Sequence, residues 1–129
     1  MKNELIIAAY AEGAACPPNL ASNLSAIKSA GWTNLMVSLF QVSVSGDISI
    51  NGMNLISKGK YIGDTAWPNQ LTELKSGGTI KTLLATFGGW DSAFANIQEI
   101  YNANNTFEGT QLEQNCKVFR ATFPMFDLI

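Results

Sequence analysis

Two continuous apolar runs of strand length stand near the start of the chain: ELIIAAY, Glu4 to Tyr10, and NLMVSLFQV, Asn34 to Val42. Neither shows the in/out alternation of a strand with one wet face, so both read as buried parallel strands. After Val42 the pattern changes to strict alternation. Val42, Val44, Ile48 and Ile50 flank a Ser-Gly-Asp turn, which predicts a hairpin projecting past the end of the second strand. Helical spacing appears three times more clearly: Leu20, Leu24 and Ile27, ending at Gly31; Phe94, Ile97 and Ile100 or Tyr101; and Leu112, Cys116, Phe119 and Phe123. A shorter helix is predicted in PNQLTELKSGG, Pro68 to Gly78, where Leu71 and Leu74 precede paired glycines. TIKTLLATF supplies a third strand and MFDLI, at the end of the sequence, a fourth.

Strands alternating with helices of this length predict βαβ units, a parallel sheet and right-handed crossovers within a single α/β unit spanning residues 1–129. Four such repeats make half of a TIM (β/α)8 barrel, which takes about 250 residues. They are also enough for a small open sheet covered by helices on both faces. An apolar strand ending at Ile129 favours the half barrel or barrel fragment, because it would leave a bare edge. Exposed edges at the first and fourth strands are then expected to drive self-association, or pairing with a C-terminal half barrel.

Composition narrows the function classes. Of 129 residues, 47% are hydrophobic and 14% charged, with a net charge of −2 and no cluster of lysine or arginine, so neither nucleic acid nor an anionic membrane surface is an expected partner. The apolar runs fall well short of the roughly 20 residues of a membrane span. The first residues, MKNELIIAAY, have too short an apolar core for a signal peptide, which predicts a cytoplasmic protein as written, or a secreted one if a leader has been removed. There is no histidine, and Cys16 and Cys116 lie far apart, so no metal site, cofactor or Cys/His nucleophile is expected; both cysteines read as small buried hydrophobes. The sequons at Asn23 and Asn104 bear on a secreted protein only.

The densest candidate chemistry lies in KTLLATFGGWDSAF, Lys81 to Phe94, where a strand stops on Gly88, Gly89 and Trp90, and Asp91 and Ser92 offer a helix cap. The order LIIAAYAEG, NLMVSLFQVSVSGDI, KTLLATFGGWDSAF and FPMFDLI resembles the first four strands of the glycoside hydrolase family 18 barrel, the chitinases and their relatives, over essentially the whole chain. TFGG, Thr86 to Gly89, is similar to the SxGG pattern of the family's third strand, with threonine for serine. Asp127, with Leu128 and Ile129, matches the opening of the fourth-strand DxxDxDxE pattern, whose inner carboxylates, the acid glutamate among them, would lie past Ile129. In that pattern alternate residues of a strand share a side, so like charges crowd and one carboxyl retains its proton to act as general acid. The resemblance implies an N-terminal portion of a chitinase-like hydrolase of N-acetylglucosamine polymers, inactive alone, with Asp127 in a supporting catalytic role. Tyr10, Thr86, Gly88, Gly89 and Trp90 would bind a chitin or N-acetylglucosamine oligosaccharide. The alternative is a non-catalytic carbohydrate-binding or structural module derived from the same source. Trp67, before Pro68, reads as a packing lid in a loop.

Overall fold

The computed structural model describes residues 4–88 and 92–127. The chain falls into two units, one of Met1–Ser38, Ala66–Ala85 and Met125–Ile129, the other of Leu39–Thr65 and Thr86–Pro124.

In the first unit, β1 (Ala8–Glu12) lies parallel to the beginning of β2 (Asn34–Val42), in a register that pairs Ala8 with Asn34 and Glu12 with Ser38. The helix α1 (Leu20–Ser29) joins them, and α2 (Trp67–Leu74) packs on α1. Leu20, Leu35, Val37, Trp67, Leu71, Leu74, Ile80 and Leu83 are fully buried there. Trp67 is no lid: it opens α2 ahead of Pro68 at a position where proline suits a helix start, and its indole Nε1 donates to Ala15 O at 2.8 Å. β6 (Thr82–Phe87) pairs with β2, and the Lys81 and Thr82 N–H groups both donate to Thr33 O.

In the second unit the alternation after Phe40 does what it predicts and then goes further. β3 (Ile48–Ile50) returns antiparallel to the end of β2, pairing Phe40 with Ile50 and Val42 with Ile48. A two-residue loop, Asn51-Gly52 with φ of 47° and 81°, leads into β4 (Met53–Ser57), and a second, Lys58-Gly59 with φ of 50° and 72°, into β5 (Lys60–Tyr61). Positive φ at both central residues is the turn whose twist matches that of the flanking strands, and glycine takes the second position at no steric cost. The helices α3 (Ala93–Asn104) and α4 (Gln111–Thr122) follow one another without a strand between. Phe40 anchors the core of this unit, stacked on Phe87 and edge-on to Phe119 and Phe123, with Tyr61 against Phe123. Burial, with help from the charge of Asp64, pushes the Tyr61 phenol up to about 12, and its hydroxyl donates to Asp64 O at 2.6 Å.

These elements correct the expected fold class. Among the described residues the sheet is mixed, six strands in the order β1-β2-β3-β4-β5 with β6 also on β2, accompanied by four helices; it is not a run of alternating parallel β/α units from a TIM barrel. Three strands enter as consecutive antiparallel hairpins because the alternating pattern and the two tight turns are satisfied locally. The expected fourth strand is absent among the described residues: Pro124 to Phe126 form a turn, and Leu128 and Ile129 lie outside them. β1 is parallel but mostly uncovered: Tyr10 is exposed, as are Leu5, Ile6 and Ile7 just ahead of it, and only Ala11 is buried. Cys16 is buried as expected, whereas Cys116 is on the surface.

Candidate functional site

The sequence-predicted site residues divide. Tyr10 lies on β1 in the first unit with 68% of its surface exposed. Asp127 also belongs to the first unit, and it is heavily engaged. Lys75, at the end of α2, reaches both of its carboxylate oxygens at 2.9 Å; the Leu83 N–H donates to Oδ2 at 2.8 Å; and the Asp127 N–H donates back to Leu83 O at 2.8 Å. Burial alone would raise its pKa, but the Leu83 N–H and the Lys75 ammonium outweigh it and hold the carboxyl below its usual range. Asp127 therefore ties a turn to β6 and α2 as an ionised acceptor, and has no proton to give near neutral pH. Thr86 and Gly88 close β6 in the second unit, while Gly89, Trp90 and Asp91 lie outside the described residues. Ser92 does precede α3, but its side chain makes no capping hydrogen bond.

Around Gly88 the second unit builds a site that the sequence did not announce. Gly88 has φ of +95°, and its N–H donates to Phe40 O at 3.0 Å. A Cβ here would run into the ring of Phe94. The absent side chain thus lets the first turn of α3 bring an aromatic ring over the strand end. Phe94, which helical spacing assigns to the core, stays 63% exposed, and Ile100 takes the buried position.

The same unit holds a cleft of about 160 Å³ lined by Gln41, Val42 and Ser43 at the end of β2, Ser49 on β3, and Ser92, Ala93 and Asn96 at the start of α3. Asn96 fixes the helix to the strand: its Nδ2 donates to Val42 O at 2.9 Å and lies 3.5 Å from Ser92 Oγ. Ser43 is set by the turn that follows it, its N–H donating to Asp47 O at 3.0 Å and its Oγ accepting from the Asp47 N–H at 3.1 Å. Deeper in that turn Asp47 Oδ1 is buried with no hydrogen-bond partner. Five lining side chains are amides or hydroxyls and none is titratable, so the cleft offers neutral donors and acceptors but no acid, base or nucleophile pair. Its volume is below the roughly 300–1,000 Å³ that encloses a drug-sized ligand, so it suits one part of a larger molecule.

Among the described residues no group of three His, Cys, Asp or Glu side chains could hold a metal ion, and no helix is long and apolar enough to cross a membrane. Fold and site together define an α/β protein with a mixed sheet and an uncharged polar cleft at a strand end. Compared with family models, curated proteins and solved structures, the chain matches none.

Proposed function

We propose that this chain is a non-catalytic carbohydrate-binding module, which takes an N-acetylglucosamine oligosaccharide at the Gly88 end of β6. The observation that carries this reading is an exposed aromatic ring, Phe94, on the same first turn of α3 as Ala93 and Asn96, which line a cleft of amides and hydroxyls. A pyranose has an apolar face that stacks on a ring and an edge of hydroxyl and acetamido groups that exchange hydrogen bonds with neutral side chains. Trp90, two positions before Ser92 in the sequence, is proposed as a second ring for the same ligand. Hydrolysis is not part of the proposal, because glycosidic cleavage needs a protonated carboxyl and Asp127 is ionised by its partners.

Calorimetric titration with N-acetylglucosamine oligosaccharides tests the reading. Saturable binding is expected, weakened about 10-fold or more by Phe94→Ala and by Trp90→Ala, with no release of shorter sugars on long incubation. Absence of saturable binding up to millimolar sugar, or binding that neither substitution changes, overturns it.

A further inference from the structure

We infer that β1 is a self-pairing edge through which two copies of this chain join by antiparallel strand addition. The inference rests on the first unit alone and is independent of the glycan reading. Ile7 turns both its backbone groups toward the β2 side: its carbonyl accepts from the Thr33 and Asn34 N–H groups, and its N–H donates to Thr33 Oγ1. Alternate residues of a strand direct their backbone groups to opposite sides, so Ile6, Ala8 and Tyr10 present theirs outward, at the end of the sheet.

The treatment of the other strands sharpens the contrast. β5, the terminal strand in the second unit, is two residues long and carries Lys60 just after Lys58, the short and charged form in which edges are normally blunted. On β6, Asp127 takes both backbone groups of Leu83. β1 has only Glu12, at its far end. From Leu5 to Ala11 there is no charge, no proline and no glycine.

A second copy is the occupant that fits. Leu5, Ile6 and Tyr10 are 75%, 69% and 68% exposed, so both sides of the edge carry bare apolar side chains, Leu5 and Ile7 on one and Ile6 and Tyr10 on the other. Strand pairing covers only the outer flank of each of these side chains, which puts the contact at the small, weak end of specific interfaces. A two-fold contact sets the same patch against itself; Leu5 to Ala11 is uncharged, and an axis at Ile7 rather than Ala8 keeps the flanking Glu4 and Glu12 from facing each other. The area stands near the lower limit, so the dimer is a reversible one.

Sedimentation velocity from low-micromolar to near-millimolar protein is expected to show a monomer–dimer equilibrium. Ile6→Lys, which puts a charge into the pairing face, and Ala8→Pro, which removes an outward N–H that β2 does not use, should each weaken it at least about 10-fold while leaving the far-ultraviolet circular dichroism unchanged. Hydrogen exchange on the unmutated chain gives a reading that needs no variant: the Ala8 and Tyr10 amides should gain protection as concentration rises. A chain that stays monomeric throughout, a dimer untouched by both folded variants, or Ala8 and Tyr10 amides whose exchange is independent of concentration overturns the inference.

Discussion

Gly88 and Asp127 show how much a single residue's conformation decides here. At φ of +95° an alanine in place of Gly88 adopts a backbone state that costs an L-residue about 1–2 kcal/mol. The ring its Cβ would strike belongs to an exposed side chain able to swing away, so the conformational cost dominates. Gly88→Ala should lower stability by about that amount in urea titration, and the double substitution with Phe94→Ala should recover less than about 0.5 kcal/mol of it. Asp127 makes a different prediction. Its pKa is lower in the folded chain than the ordinary 3.8, so its contribution is fully present above that value and is lost as pH falls through the folded one. The carboxylate is 38% exposed, so solvent screens the ion pair and the loss on Asp127→Ala at pH 7 is set at about 1–2 kcal/mol, mostly from the Leu83 hydrogen bonds. The difference between the two proteins in urea midpoint should shrink as the pH is taken below 3.8. In the sequence, Asp127 was visible as a strand aspartate; Lys75, fifty-two positions earlier, carries no local signal that it is the partner.

Among the elements, α4 holds its place through a residue that its apolar spacing passes over. Leu112 and Phe119 are buried as the pattern predicts, yet the fully buried side chain between them is Asn115, not Cys116. Asn115 Nδ2 donates to Gly46 O at 2.8 Å and its Oδ1 accepts from the Gly59 N–H at 2.9 Å, so one amide fastens two hairpin turns to the helix. Asn115→Leu leaves a buried carbonyl and a half-buried N–H unpaired and should cost about 2–4 kcal/mol in chemical denaturation; Asn115→Asp, which sets a carboxylate against Gly46 O, should cost at least as much. The elements themselves were legible in proportion to how local their causes are. α1, α2 and the β2–β3 hairpin follow from spacing within a dozen residues. The Asn51-Gly52 turn was an equally local signal for β4, which the eye passes over because MNLIS lacks clean alternation. β1 misleads in the opposite direction, since a continuous apolar run signals burial only when something covers it. The polar cleft had no signature at all: Gln41, Ser43, Ser49, Ser92 and Asn96 come from three elements and share no spacing.

For the whole molecule, the balance between charge and exposed apolar surface governs behaviour in solution. A net charge of −2 gives little mutual repulsion at neutral pH, and at the sequence pI of about 4.9 it vanishes. A chain that also bares an apolar strand edge should then associate beyond any specific pair, because the apolar side chains flanking the edge stay partly exposed in a pair and can touch further copies once repulsion is gone. Turbidity at fixed protein concentration should peak near pH 5 and fall on either side. The mechanism can be separated from ordinary isoelectric precipitation by comparing two variants of equal charge. Ile6→Lys and Gln114→Lys each move the net charge from −2 to −1 and shift the peak to higher pH alike, but Gln114 is an exposed residue of α4, away from the edge in sequence and in unit. If the bare edge drives association, Ile6→Lys lowers the height of the peak as well as shifting it, while Gln114→Lys only shifts it. Equal heights for the two variants would assign the turbidity to net charge alone.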